Sequence, residues 1–209
     1  MTYMENIFIC MASPLLIAAL CMGKRHTGAF LFCLAGMGMC LLSAYLNTFL
    51  AALYGADAFA ATVEIAPVEE GMKLLPLLFY LLVFEPQARQ IGIAAVITAL
   101  SFATFENICY LIQNGAAHFS FIFFRGIGTG AMHVICGAIV GGGLAYVWRR
   151  TWLKIAGTCG LLGAAITFHA IYNLLIAYGG TAQYIAYLLP VGILAAGKLI
   201  ARYLKAEES

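Results

Sequence analysis

Several acidic and imidazole side chains interrupt stretches of the sequence that are otherwise apolar enough to lie inside a membrane. The first group is Glu69, Glu70 and Lys73, in the middle of an apolar run about one bilayer wide. A charge at the bilayer centre costs roughly 2.5–3.5 kcal/mol even on lenient insertion scales, so by default it marks a functional site. Three later apolar segments add further polar residues: Glu106 with Asn107, His133, and His169 with Asn173. We expect these groups to form one buried site.

The spacing of charges in the first group predicts one ion pair and one spare carboxylate. Lys73 follows Glu69 by four residues and Glu70 by three, so either pair can meet on one face of a helix. The other carboxylate is then left without a counter-charge, and burying an uncompensated acid is costly. This imbalance favours a reactive role over a purely structural ion pair. Pro67 and Pro76 flank the group and favour a kinked helix.

The other polar residues have helical spacings that allow them to face the same site. Arg125 and His133 are about two turns apart on one face, and His169 and Asn173 are one turn apart. Glu106 is predicted to carry protons or to pair with Arg125. Counted from the predicted outer ends of their helices, the acids and histidines lie roughly 10–20 Å below the outer membrane boundary. They are therefore expected to converge in the outer half of the membrane.

Two histidines and two or three carboxylates in a dry site suit two kinds of hydrolytic chemistry. Imidazole and carboxylate are typical zinc ligands, and a bound zinc ion activates water beside a general base. Without metal, a glutamate deprotonates water while histidine and asparagine stabilise the oxyanion. The residues leave both mechanisms open. Three other kinds of intramembrane protease are excluded. The sequence has no HExxH motif of the zincin kind and no GxSxG motif of a serine hydrolase. A protease with two catalytic aspartates is impossible, because Asp57 is the only aspartate.

The elements that position these residues are predicted from composition to be membrane-spanning helices. The chain is 64% hydrophobic and 10% charged, whereas a soluble domain carries about 25% charged residues. Its mean hydropathy is +0.96, and its net charge of +2 gives no reason to expect nucleic acid as a partner. We therefore expect an all-α polytopic membrane protein, with residues 1–209 forming a single integral membrane domain.

Hydropathy and polar breaks predict a bundle of about seven transmembrane helices. The predicted spans are 6–22, 28–53, 59–84, 91–113, 119–147, 152–178 and 183–203. In the fifth span, Gly126, Gly128 and Gly130 favour a tilted or unwound start, while the GxxxG pair Gly137 and Gly141 favours close helix packing. The seven cysteines show no CxxC spacing and are expected to be small buried hydrophobic residues.

Basic residues mark every second connection between the predicted spans and so predict the orientation of the chain. These residues are Lys24 and Arg25, Arg89, Arg149 with Arg150 and Lys154, and Arg202 with Lys205. The connections between them contain no lysine or arginine. The positive-inside rule places the basic set in the cytoplasm, which gives an N-terminus outside and a cytoplasmic C-terminus.

The motifs, taken in order, resemble those of PrsW-type intramembrane proteases, which are relatives of the CAAX-processing and bacteriocin-processing membrane proteases. The shared patterns are EExxK at 69–73, FxxxEN at 102–107, Arg125 with His133, and HxxxN at 169–173. Each motif alone is common, but four in order on successive spans are specific. The resemblance covers about residues 60–178, which we expect to be the catalytic core.

The resemblance implies an intramembrane metalloprotease that cuts membrane-anchored substrates such as anti-sigma factors, in a prokaryotic plasma membrane. The candidate catalytic residues are Glu69, Glu70, Glu106, His133, His169 and Asn173, with Lys73, Arg125 and Asn107 as electrostatic support. Zinc or another divalent metal is expected, and the candidate ligands are Glu70, Glu106, His133 and His169. Glu69 is expected to be the general base or a ligand. A metal-free glutamate mechanism stays open, since the CAAX relatives have a histidine in place of Glu106.

The expected cleavage position is near the extracytoplasmic side of the membrane, because the polar groups are nearer to the outer helix ends and the hydrolytic water needs a short polar path. The alternative function is a proton- or ion-coupled transporter, since transporters also use broken helices with acids near the midplane. No inverted repeat is evident, which favours the protease.

Overall fold

The protein folds into a bundle of long helices, seen in a computed structural model that describes residues 3–21, 24–54, 58–115 and 118–207. In these ranges there are seven long helices and no strand. The helices are α1 (Met4–Cys21), α2 (Lys24–Tyr54), α3 (Ala58–Phe84), α4 (Ala88–Asn114), α5 (Phe119–Val147), α6 (Lys154–Tyr178) and α7 (Gly180–Glu207). A 3-10 turn, Thr151–Leu153, precedes α6. Each predicted span is a helix whose ends agree with the prediction to within four residues.

Six of the described helices are long and apolar enough to cross a membrane, and α3 is the exception. The 27 residues of α3 include Glu64, Glu69, Glu70 and Lys73. At 1.5 Å per residue the helix is about 40 Å long, enough to cross a hydrocarbon core of about 30 Å. The charges that set α3 apart are those of the predicted site. The protein is an all-α polytopic membrane protein, as predicted.

Helices α4 and α5 form the centre of the bundle. Helix α4 packs against α2 and α5, and α5 also contacts α6 and α7. The main apolar core includes side chains from α3, α4, α5 and α6, which contribute for example Leu77, Ile91, Met132 and Ala165. A second core joins α1, α2 and α4, and Phe102 lies within it. Because lipid is as apolar as leucine, close packing rather than exclusion of water holds these helices together.

Gly137 and Gly141 allow α5 to approach α4 closely, which confirms the prediction from the GxxxG spacing. A Cβ atom at Gly141 would lie 2.4 Å from the Cβ of Ala95, and one at Gly137 would lie 2.7 Å from the Cβ of Ala99. No side chain fits at either position without a shift of the helices. The contact holds His133, one turn before Gly137, against α4.

The glycine-rich start of α5 was predicted to be tilted or unwound, and it is not unwound, because α5 is a continuous helix from Phe119 to Val147. Gly128 instead makes room for α7: a Cβ atom there would lie 2.8 Å from the Cα of Tyr187. Helix α3 is likewise continuous through Pro67 and Pro76.

The expectation that the cysteines are buried is only partly correct. All seven are free, and Cys40, Cys109 and Cys136 are buried. The thiols of Cys10, Cys21 and Cys159 are exposed on the outside of the bundle. A small apolar side chain is compatible with lipid as well as with a core, so hydropathy cannot separate the two positions. Asp57 and the side chains of Lys24, Arg25 and Lys205 lie outside the described part of the chain.

Candidate active site

The adjacent carboxylates of α3 are both buried, but their surroundings differ. Glu70 Oε1 accepts a hydrogen bond from Lys73 Nζ at 2.5 Å and one from His169 Nδ1 at 2.8 Å. Glu69 Oε2 is buried without a hydrogen-bond partner in the described part of the chain and lies 3.8 Å from His169 Nε2. The predicted spare carboxylate is therefore Glu69, and Lys73 pairs with Glu70.

Lys73 connects α3 to the two central helices of the bundle. Its buried Nζ lies 2.7 Å from His133 Nδ1 on α5. The same ammonium group lies 4.7 Å from the ring centroid of Phe102 on α4, a distance suited to a cation–π interaction. Lys73 thus links Glu70 to His133, and its charge is satisfied entirely within the protein.

Glu106 on α4 is held by two side chains of α5. His133 Nε2 lies 2.8 Å from Glu106 Oε2, and Arg125 Nη2 donates to Glu106 Oε1 at 3.3 Å. The guanidinium of Arg125 stacks over the ring of Tyr110, with its carbon 3.5 Å from the centroid. The predicted pairing of Glu106 with Arg125 is therefore present, and a second contact, from His133, accompanies it.

The two imidazoles pack edge to face, with ring centroids 5.0 Å apart and planes at 84°, but their partners favour different tautomers. Glu70 is a hydrogen-bond acceptor, so His169 carries its proton on Nδ1 and directs the Nε2 lone pair toward Glu69. An ammonium group has only donors, so Lys73 donates to His133 Nδ1. His133 then carries its proton on Nε2 and donates it to Glu106.

Two properties of this group suit a divalent metal ion: the types of its side chains and a buried oxygen atom that lacks a hydrogen-bond partner among the described residues. Glu69, His133 and His169 each have one potential ligand atom, and these atoms lie within 4.8 Å of one another. The lone pair of His169 Nε2 is free, whereas His133 would bind a metal only after giving up its contact with Lys73 or Glu106. Imidazole and carboxylate are typical zinc ligands. A cation between Glu69 and His169 would satisfy the buried Oε2 atom that lacks a partner. This group includes Glu69 and lacks two of the predicted ligands, Glu70 and Glu106. Glu70 Oε1 contacts Lys73 and His169, and the Glu106 carboxylate contacts His133 and Arg125.

Two cavities lead to the Glu69 and Glu106 carboxylates from the same end of the bundle. One of about 250 Å³ lies between α3 and α6, and its lining includes His169, Asn173 and the apolar side chain of Ile176. The other, of about 310 Å³, is lined by residues of α1, α2, α4 and α5, among them Thr48, Tyr110, Gln113 and Arg125. Both cavities extend toward the end at which α3 begins and α6 ends. Water therefore has room to reach the carboxylates.

The structure brings together all but one of the candidate residues. Asn173 shares the smaller cavity with Glu69 and His169. Asn107, by contrast, forms no hydrogen bond or ion pair with the other candidates among the described residues, and its buried Oδ1 has no hydrogen-bond partner there.

Three contributors to the site were not predicted as site residues. The ring of Tyr110 stacks against the guanidinium of Arg125. Tyr110 follows Glu106 by four residues, and this spacing could have predicted that it faces the site. Thr129 and Tyr172 form a buried hydrogen bond of 3.0 Å between α5 and α6. No sequence pattern indicated this pair, because a tyrosine or threonine in a span is usually an ordinary interhelical contact.

A family model described as PrsW family intramembrane metalloprotease matches residues 23–196, from the start of α2 into α7. The match includes every motif described above and excludes α1. No curated protein matches the chain, and no solved structure matches it.

Proposed function

The chain belongs to the PrsW family of intramembrane metalloproteases, and from that membership we propose that it cleaves membrane-anchored protein substrates near the extracytoplasmic face. It is an integral multi-pass membrane protease. The observation that carries the proposal is the buried Glu69 Oε2 atom, which has no hydrogen-bond partner among the described residues and lies beside His169 Nε2, where two cavities meet. The family match gives no support to the alternative of an ion-coupled transporter.

We propose that zinc is the metal and that Glu69 and His169 hold it, with His133 as a third ligand only when it gives up its contact with Lys73 or Glu106. When bound, such an ion acts as a Lewis acid that makes water a competent nucleophile near neutral pH. Glu70 orients His169 through its contact with Nδ1, as carboxylates commonly do for metal-binding histidines. Lys73 compensates the charge of Glu70 and holds His133 in place.

The remaining residues suit the transfer of protons and the positioning of the substrate. Glu69 acts as the general base, either without binding the metal or while also serving as a metal ligand. Glu106, held by His133 and Arg125, carries the proton to the leaving amine. Asn173 lines the smaller cavity and orients the scissile carbonyl. All of these residues belong to helices α3 to α6, in agreement with a catalytic core at 60–178.

The location of the cavities supports cleavage on the extracytoplasmic side. The basic residues Arg89, Arg149 and Arg202 lie at the opposite end of the bundle, where α4 begins and α5 and α7 end. Under the positive-inside rule that end is cytoplasmic and the N-terminus is outside. Both cavities then open outward, in the plasma membrane of a prokaryotic cell. The substrate is a single-span or anchored protein of the anti-sigma-factor kind.

The test is cleavage of a membrane-anchored peptide by the purified protein in lipid bilayers. We expect Glu69→Ala and Glu70→Ala to lose cleavage by at least about 100-fold, the usual range for a catalytic acid or base. Glu64→Gln is the matched control, because Glu64 is an exposed carboxylate on the same helix. Undiminished cleavage by the Glu69 and Glu70 variants would refute the proposal. Full activity after exhaustive chelation would instead support a metal-free glutamate mechanism.

A further inference from the structure

A third cavity lies at the opposite end of the bundle from the active site. Its volume is about 380 Å³, within the range of about 300–1,000 Å³ that small-molecule sites occupy. It forms where the turn from α3 to α4 meets the turn from α5 to α6. None of the candidate catalytic residues lines it.

The rim of this cavity carries an excess of positive charge. Arg149 and Lys154 line it, and Glu85 is the acid among its lining residues. In the described part of the chain, neither cation has a carboxylate within 4.0 Å. The half-buried Lys154 instead lies over the ring of Trp148, with Nζ 5.3 Å from the centroid. The first turn of α4, which begins at Ala88, adds the positive end of a long helix dipole.

The floor of the cavity is apolar. Leu81, Ile91 and Leu144 are buried beneath the rim. Leu82, another lining residue, is 67% exposed on the outside of the bundle, so the cavity is continuous with the surface that faces the acyl chains. A cationic rim above an apolar floor matches an amphiphile with an anionic head.

We propose that this cavity binds an anionic phospholipid, with the headgroup phosphate between Arg149 and Lys154. Charge-assisted bonds from a guanidinium and an ammonium group suit a phosphodiester. Glu85 reduces the formal charge of the rim to +1, which matches a headgroup with a single negative charge. The acyl chains lie along Leu82 and the neighbouring apolar surface. Basic pockets between helix ends at the cytoplasmic surface are suited to such lipids.

The competing explanation is that these cations only set the orientation of the chain in the membrane. Arg89 and Arg202 provide the comparison, because they are exposed at the same end of the bundle and do not line the cavity. A general attraction between the basic end and an acidic membrane depends on all four cations to a similar extent. A site in the cavity depends on Arg149 and Lys154.

The test is lipid binding by the purified full-length protein in a non-ionic detergent, measured as the rise in apparent melting temperature. Phosphatidylglycerol is compared with phosphatidylcholine of the same acyl chains and with inorganic phosphate. We expect a saturable rise with phosphatidylglycerol and little change with the other two. In the double variant Arg149→Gln/Lys154→Gln the apparent affinity falls about tenfold or more, while Arg89→Gln/Arg202→Gln keeps it.

Equal responses of the two double variants, or equal effects of the two lipids, would overturn the proposal. An effect of inorganic phosphate as large as that of the lipid would point to a phosphate site without a role for the acyl chains, and would overturn it as well. Glu85→Gln tests the same site in the other direction, since loss of the carboxylate raises the affinity for phosphatidylglycerol. That variant keeps the proposal testable if the Arg149/Lys154 variant does not fold. The proposal does not rest on protease activity.

Discussion

Glu69 and Glu70 are adjacent in the sequence, yet among the described residues only Glu70 pairs with a lysine or arginine. Its Oε1 contacts Lys73 and His169, whereas Glu69 Oε2 has no hydrogen bond among the described residues. A buried ion pair is weak evidence for net stability, but removing one partner leaves the other charge uncompensated. The two carboxylates therefore contribute to the fold in different ways, even though both are proposed to be needed for catalysis.

We predict that Glu70→Gln destabilises the protein and that Glu69→Gln does not. The first change leaves the buried Lys73 ammonium without its carboxylate, at a cost on the order of 3 kcal/mol. The second replaces an unpaired buried carboxylate by a neutral amide and leaves stability unchanged or slightly raised. Thermal unfolding in detergent, measured on metal-free protein, separates the two variants. Equal losses of stability would contradict the assignment of Glu69 as the spare carboxylate.

The histidines also differ, and metal analysis can separate them. His169 directs its Nε2 lone pair toward Glu69, whereas the Nε2 of His133 donates to Glu106. We predict that His169→Gln reduces bound metal at least about tenfold, while His133→Gln keeps more of it and still loses cleavage. Metal content and metal affinity of chelator-free protein are the measurements. Equal loss of metal in both variants would show that the two imidazoles are equivalent ligands.

At the scale of the helices, the contact between α4 and α5 fixes the site. Glu106 belongs to α4, and both side chains that hold it belong to α5. The glycines at 137 and 141 bring these helices close enough for the hydrogen bonds to form. A small separation of the helices would therefore break the contacts of Glu106 before it unfolded the bundle.

We predict that Gly141→Val destabilises the protein by about 1–3 kcal/mol and reduces cleavage, because its side chain would overlap Ala95. Gly142→Val is the matched control. A Cβ atom at Gly142 meets nothing within 4 Å, so its effect is expected to stay within about 0.5 kcal/mol. The apparent melting temperature and the cleavage rate of both variants check this. A similar effect of the two substitutions would mean that the close approach of α4 and α5 does not matter.

At the scale of the whole molecule, the outside of the bundle is apolar and the two ends differ in charge. Large side chains such as Leu20, Phe79, Leu82 and Phe119 are more than 60% exposed, as expected for a surface in contact with lipid. The cavities that reach Glu69 and Glu106 open at one end, and the cationic cavity lies at the other. The two ends are therefore suited to different tasks, hydrolysis and lipid contact.

We predict that the end with the active-site cavities faces outward. The test uses two single-cysteine variants, Gln113→Cys and Thr151→Cys, in a background without the seven native cysteines. Gln113 lines the active-site cavity of about 310 Å³, and Thr151 is exposed at the opposite end of the bundle. A membrane-impermeant thiol reagent added to intact cells should label Gln113→Cys, and should label Thr151→Cys only after permeabilisation. The reverse pattern would invert the orientation and would place cleavage on the cytoplasmic side.

The sequence by itself determined the number of helices, their ends to within a few residues, the family and the presence of one spare carboxylate. Each of these depends on properties that are local along the chain: hydropathy over about 20 residues, helical spacing, and the ratio of acids to bases in one segment. The close approach at Gly137 and Gly141 was also predictable, because the spacing of small residues reports directly on helix packing.

Only the tertiary structure decided which carboxylate is spare, which histidine nitrogen faces Glu69, and that Asn107 does not join the site. These facts depend on how far each helix is rotated and shifted against its neighbours, and a pattern within one helix carries no information about that. The exposed cysteines and the continuous α5 have the same origin. Hydropathy cannot distinguish a side chain that faces lipid from one in a protein core. Glycines typical of a helix break can instead make room for a neighbouring helix.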